Sequence, residues 1–278
     1  MISVYKLLFS ENARDVSSVI AANNSWLAIH RLLTTTKNLK LLFSTGEDGR
    51  LLELDLHKHL PRPEHEGVYL HFADVRTYPD IGGLEGSVSL PDEGNTVAII
   101  LPLKGAPKTR DYNNWFVENV ALKFKRARST YIHELTHALD FRRVSSNVID
   151  FVFNKEDQTT DRFNGLRQQI QQLKADNPLS ASDYGVMETQ LSGLEQEINK
   201  AYFNNPFELN AFYKEGLHQA IRQLKRGKLS VGSPQEFVDK FMDAYIPVRM
   251  KNSLTPTSVK RLTKRLASIY PEMQRRYA

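Results

Sequence analysis

Apolar residues follow two rhythms along the chain. Residues 12–36 carry Val16, Ile20, Leu27 and Leu32 among polar positions, which predicts one amphipathic helix. Residues 39–43, 51–56 and 68–72 are short apolar runs separated by Gly- and Pro-containing stretches, and they predict strands. Residues 86–90 and 96–103 form a second pair. The link Pro91-Asp92-Glu93-Gly94-Asn95 is turn chemistry, so the two runs predict an antiparallel hairpin.

The spacing becomes helical after Tyr112. Residues 114–143 contain neither Pro nor Gly and predict one long helix. Residues 157–175 carry Leu166, Ile170 and Leu173; residues 184–203 carry Met187, Leu191, Leu194 and Ile198. Both follow the four–three alternation of a narrow packing seam. With Asp176-Asn177-Pro178-Leu179-Ser180 as the turn, they predict an antiparallel helical hairpin over 157–203, either packed into the domain or projecting as an arm. Pro206 suits the first position of a further helix running to about Lys225. Residues 234–245 and 256–269 predict two more. The last has Val259, Leu262, Leu266 and Ile269 on one stripe, with Lys260, Arg261, Lys264 and Arg265 elsewhere. The predicted fold class is α+β, a small N-terminal sheet followed by a mainly helical half. No linker is visible, so one domain is expected over 1–278: a mixed part at 1–111, a helical part at 112–246 and a basic helical tail at 247–278.

Composition narrows the chemistry. With 41% hydrophobic and 25% charged residues, the chain is close to average globular usage. Cysteine is absent, which excludes disulfides, Cys-rich zinc folds, iron–sulfur sites and a cysteine nucleophile. No run of 18 apolar residues predicts a transmembrane helix. Glu11, Asn12, Arg14 and Asp15 follow the short apolar N-terminus at once, so no signal-peptide core is expected. The expected location is cytoplasmic by default, with signal-independent export, as an effector or phage-associated protein, left open. The net charge is +5, unevenly placed: residues 247–278 hold eight Lys or Arg against the single acid Glu272. Such a tail can meet an acidic partner or nucleic acid, or simply be a solvated helix face.

The most informative segment is Tyr131-Ile132-His133-Glu134-Leu135-Thr136-His137-Ala138-Leu139-Asp140. It places H-E-x-x-H on a helix. Residues four apart share a helix face, so His133 and His137 can both reach one Zn2+ ion. Glu134 follows the first ligand, where its carboxylate can accept a proton from a water activated by the metal.

A catalytic zinc has three protein ligands and an open position. His218 is the only histidine after His137. The other source is a carboxylate on a later helix, and Glu208 stands in the first turn after Pro206, among Phe207, Leu209, Ala211 and Phe212. An acid there also suits the helix dipole without any metal. Glu188, Glu195, Glu197 and Glu215 compete with it, the first three on the charged faces of the hairpin.

His133 and His137 followed by Glu208 resemble the gluzincin-type zinc metallopeptidases. The run 132–138 is similar to the active helix of thermolysin-like enzymes. The run 208–211 resembles the ligand helix of lethal-factor-like zincins. Arg143 stands where the metzincin pattern has a third histidine, and the Asn-Glu entry to the thermolysin ligand helix is missing. The resemblance spans about residues 86–216 and implies a zincin-like fold that hydrolyses peptide bonds. It also implies a tyrosine shortly before the ligand glutamate, a place taken by Tyr202. In such folds a strand before the active helix pairs with the substrate backbone; 86–90 or 96–103 would do so here.

Other residues carry weaker expectations. Asp140 shares the ligand face and can accept a hydrogen bond from a metal-bound histidine, or pair with Arg143 or another base. Tyr202, Tyr213 or His218 can donate to an oxyanion, with Tyr202 preferred. His57, His59 and His65 are expected in a solvated loop. Lys123, Lys125, Arg126 and Arg128 are expected on an exposed helix face. The sequence therefore predicts a zinc-dependent metallopeptidase acting on a protein or peptide. An inactive zincin-like interaction protein and a nucleic-acid-associated protein are the alternatives.

Overall fold

The computed structural model describes residues 8, 15–36, 42–45, 51–75, 86–89, 96–103, 112–144, 146–176 and 181–277. They form an α+β fold, with a small mixed sheet in the N-terminal part and a helical C-terminal half. Helix α1 (Asp15–Thr35) leads to β1 (Ser44–Thr45), β2 (Leu51–Asp55), the short α2 (Leu56–His59) and a 3-10 turn (Pro63–His65). Strands β3 (Val68–Asp74), β4 (Ser87–Val88) and β5 (Val97–Leu103) follow. The sheet order is β1-β2-β3-β5-β4. Only β3 and β5 are parallel, with Val68 opposite Val97. The predicted hairpin is present: β4 lies antiparallel to β5, with Ser87 opposite Ile100. Its turn, 91–95, lies outside the described residues. So does most of the predicted strand at 39–43, where Leu42 and Phe43 are not in a strand.

The helices are α3 (Tyr112–Arg126), α4 (Arg128–Phe141), α5 (Ser146–Asp176), α6 (Ala181–Asn204), α7 (Pro206–Lys225), α8 (Pro234–Ala244), α9 (Val248–Ser253) and α10 (Pro256–Tyr277). The single helix predicted over 114–143 is two, broken at Ala127. No Pro or Gly marks the break. Phe124, Ala127 and Tyr131, at it and on either side of it, are all buried in the core against the sheet.

Two hydrophobic cores meet at α1, α4 and α7. One lies between the sheet and α1, α3 and α4, around Trp26, Leu54, Phe72, Ile99, Phe124 and Tyr131. The other joins α1, α7, α8 and α10 through Val16, Tyr213, Phe237, Phe241, Leu262 and Leu266. On α1 the buried apolar residues are Val16, Val19, Trp26, Ile29 and Leu33, whereas the predicted apolar position Leu27 is 47% exposed. Leu27 falls outside the 3.6-residue stripe that these residues define.

The predicted hairpin is α5 packed on α6. Its seam residues Leu166, Met187, Leu191, Leu194 and Ile198 are half-buried, and most others over 161–172 and 185–197 are exposed, so this stretch stands out as an arm. None of the described helices is long and apolar enough to cross a membrane.

Two sequence expectations need correction. His65 is not in a solvated loop: it is fully buried. Its Nδ1 lies 2.8 Å from Leu60 O and its Nε2 2.7 Å from Ser25 Oγ. An Nδ1–H donated to that carbonyl leaves Nε2 to accept from Ser25, which in turn accepts from Tyr131 at 2.7 Å. The chain of hydrogen bonds ties α4 to α1 and the 3-10 turn, and burial lowers the His65 pKa. The basic C-terminal segment is not a tail. Ser258, Leu262, Arg265, Leu266, Ile269, Tyr270 and Met273 of α10 are buried. Val259, predicted on the apolar stripe, is 37% exposed instead.

Candidate metal centre

Helix α4 lies between the sheet and α7. Ile132, Leu135 and Ala138 pack into the sheet core, which turns His133, Glu134 and His137 toward a cleft. Helix α7 starts sharply. Asn205 caps it by accepting from Phe207 N at 2.9 Å, and Pro206 follows at the first helical position. That start directs Phe207 and Leu209 into apolar clusters on either side and leaves Glu208 facing α4.

The cleft is about 420 Å³. Gly86, Ser87 and Val88 form one wall; Tyr202, Phe141 and Phe153 line it with His133, Glu134, His137 and Glu208. Gly86 is required by close approach. A Cβ there would stand 2.5 Å from Thr130 Cγ2 and 3.3 Å from Glu134 Oε1. The edge strand therefore crosses α4 directly over its glutamate.

His133, His137 and Glu208 converge as the one group of three ligand-type side chains among the described residues. The two Nε2 atoms are 3.1 Å apart. Glu208 Oε2 is 3.4 Å from His133 Nε2, and Oε1 is 3.3 Å from His137 Nε2. Donors 2.0–2.1 Å from a tetrahedral ion stand about 3.3 Å from each other. The His133–His137 separation matches one edge of such a tetrahedron, Glu208 reaches each histidine with a different oxygen, and one ligand atom from each of the three residues lies within 4.8 Å of the others. Glu208 Oε2 and His137 Nδ1 are buried without a hydrogen bond of good geometry. Two imidazoles and a carboxylate, with no thiolate, suit Zn2+.

The electrostatics favour a cation here. Burial lowers the His133 pKa, but hydrogen bonds to Glu208 and Glu215 outweigh it and hold the group at about 10. Burial raises the Glu208 pKa, yet His137 and His133 pull it well below the usual carboxylate range. The position wants positive charge, from protons or from a metal. Burial raises the Glu134 pKa against the opposing pull of His137 and His133, a direction that suits a general base.

The remaining candidates are placed as follows. Tyr202 lines the cleft and packs on Phe203 and Phe212. Tyr213 is fully buried and donates to Asp15 at 3.0 Å, away from the cleft. His218 is buried, its Nε2 3.1 Å from Asn23 Oδ1. Burial and then Arg128, Arg222 and Lys225 lower its pKa to about 3. Neither Tyr213 nor His218 can serve an oxyanion in this cleft. Asp140 does not bond a ligand histidine. It accepts from Asn210 Nδ2 at 2.6 Å. The carboxylate beside the ligand histidine is Glu215, with Oε2 3.4 Å from His133 Nδ1. Its seven-residue offset from Glu208, two helical turns, was the signal available in the sequence. Glu188, Glu195 and Glu197 are exposed on the arm. Arg128 is not a free surface cation, since it stacks over Trp26 at 4.6 Å and donates to Asn23 at 3.0 Å.

The chain matches no protein-family model, no curated protein and no solved structure.

Proposed function

We propose that the protein is a zinc-dependent metallopeptidase of gluzincin type. The observation that carries this reading is the convergence of one ligand atom each from His133, His137 and Glu208 within 4.8 Å, with Glu134 beside them in an accessible cleft. His133, His137 and Glu208 would hold the zinc, which would supply Lewis acidity for a substrate carbonyl and for the activation of a water. Glu134, beside them in the cleft, would act as the general base and carry the proton to the leaving amine. Tyr202 stands in the cleft wall as the donor toward the developing oxyanion. Strand β4, the sheet edge nearest α4, offers backbone groups to an extended peptide. Val88, Phe141 and Phe153 give a neighbouring substrate side chain an apolar surface.

The partner implied is a protein or peptide substrate. Helix α10 still exposes Lys260, Lys264 and Arg275 to an acidic partner or nucleic acid. Its composition overstates this surface, because Arg265 is buried against Asp15 and Arg276 pairs with Glu272.

Metal analysis of purified protein, with iron and zinc both measured, and hydrolysis of a peptide library with and without a chelator test the reading. Zinc near one per chain and chelator-sensitive cleavage are expected. Glu134→Gln should keep the metal and lose about 10²–10⁴-fold in rate. Wild type that retains no zinc when offered it, or a Glu134→Gln variant with undiminished turnover, rejects it.

A further inference from the structure

Behind the triad, away from the cleft, runs a buried chain of polar side chains from four helices. Arg265 of α10 forks onto Asp15 of α1, Nε to Oδ2 and Nη2 to Oδ1, both at 2.6 Å. Its third arm, Nη1, donates to Asn210 Oδ1 at 2.8 Å. Asn210 Nδ2 in turn donates to Asp140 Oδ2 at 2.6 Å. Tyr213 adds a bond to Asp15, and the Arg265 guanidinium lies 4.2 Å over its ring. Asp15, Asp140, Asn210 and Arg265 are each at most 2% exposed.

The placement of the two middle members is what matters. Asp140 is three residues after His137 on α4, and Asn210 is two residues after Glu208 on α7. The Asn210–Asp140 bond therefore joins the two helical turns that carry ligands from different helices. An amide can rotate unless both its ends are engaged. Arg265 holds the oxygen end, so the nitrogen end must face Asp140. Arg265 is itself held by the bidentate fork to Asp15, which fixes a planar guanidinium in one orientation. The first and last described helices thereby fix the spacing between His137 and Glu208.

We propose that Asn210, Asp140 and Arg265 are positioning residues of the metal centre, through which helices α1 and α10 hold His137 and Glu208 at coordination distance. The inference rests on the reading of His133, His137 and Glu208 as metal ligands. It gives the basic C-terminal helix a role that its composition does not suggest. The network does not touch the metal; it acts by removing freedom from the turns that bear the ligands. Partners that hydrogen-bond a metal ligand directly change affinity by about 10–100-fold when removed, and this network, one bond further out, is expected at the lower end of that range.

The test compares wild type with Asn210→Ala, Asp140→Ala and Asp140→Asn. Zinc affinity is measured by competition with a chromogenic chelator, and the visible spectrum of the cobalt-loaded protein reports ligand geometry. Asn210→Ala leaves the Arg265–Asp15 fork in place. It should weaken zinc binding about 10-fold and alter the cobalt spectrum at temperatures where circular dichroism shows it folded. Asp140→Ala should do the same, while Asp140→Asn, which keeps an oxygen to accept from Asn210, should recover most of the affinity. A purely structural network would lower the melting temperature and leave affinity and spectrum unchanged in the folded protein, and that result overturns the proposal. If Asn210→Ala does not fold, the Asp140 pair decides: equal affinities for Ala and Asn overturn it. Wild type that binds zinc while the variants match it defeats this inference alone. Wild type that binds none defeats the metal centre as well.

Discussion

Gly86→Ala isolates the contact between the edge strand and helix α4. Gly86 does not lie in the left-handed region, unlike Gly67 and Gly227, so alanine meets no backbone strain. Its Cβ meets side chains instead: Thr130 Cγ2 at 2.5 Å, Glu134 Cγ at 3.2 Å and Glu134 Oε1 at 3.3 Å. Carbon atoms rest about 3.5–4.0 Å apart, so the first contact overlaps by about 1 Å. Thr130 is β-branched and on a helix, with few rotamers into which to retreat. Overpacking of this kind costs about 1–3 kcal/mol. Loss of unfolded-chain entropy returns about 0.4–1 kcal/mol, so the net cost of the single substitution spans about 0–2.6 kcal/mol and does not by itself isolate the contact. A double-mutant cycle does, because the unfolded-state gain is the same in both backgrounds. Thr130→Ser deletes Cγ2 and keeps the hydroxyl. In that background the shortest contact is gone, and of the contacts described the two to Glu134 remain, where the side chain can give way by a few tenths of an ångström. Urea unfolding followed by circular dichroism should show a coupling of about 1–2 kcal/mol between positions 86 and 130. A coupling below about 0.5 kcal/mol would mean that β4 does not cross α4 as closely as described. The role of Gly86 in shaping the cleft would then fail too.

Glu208→Ala should weaken zinc binding by several orders of magnitude because it deletes a ligand, whereas Glu215→Ala should weaken it about 10–100-fold, as loss of the carboxylate on His133 Nδ1; chelator competition separates the two, and equal losses would contradict the ligand assignment. His218 titrates at about 3 in the folded protein and at about 6.5 when unfolded. The unfolded chain therefore takes up the proton first, so the stability contributed by neutral His218 is full above 6.5 and is lost as pH falls toward 3. Between pH 7 and 4.5 this amounts to about 2.5 kcal/mol. The loss of stability over that range should be smaller by about that amount in His218→Gln, as measured by urea unfolding, and parallel pH profiles would refute the burial of a neutral imidazole.

The parts of the site that could be read from sequence are those set by local geometry. His133 and His137 declare their shared face through helical spacing alone, with Glu134 at its side, and Glu208 is placed by the helix start at Asn205 and Pro206. Strands β2, β3 and β5 were legible as apolar runs between turn-forming residues. What was not legible depends on partners far away in sequence. The break at Ala127 carries no Pro or Gly signal, and nothing in the local sequence marks it. His65 sits in a Pro-rich stretch that suggests solvent, yet its partner Ser25 lies 40 residues away, and Tyr131, which bonds Ser25 in turn, lies 106 residues beyond Ser25. Arg265 is the sharpest case. Charge counting puts it among the solvated cations of a tail, but Ser258, Leu262, Arg265 and Ile269 follow a four–three spacing, and all four are buried. An arginine on the buried stripe of an amphipathic helix needs a buried acid, because an unpaired charge there is too costly to keep. That acid is Asp15, 250 residues earlier. Periodicity could thus have flagged the arginine as interior, while only the tertiary structure could name its partner. The same fork sets Asn210, and through it Asp140, so the least legible ion pair in the chain lies directly behind its most legible motif.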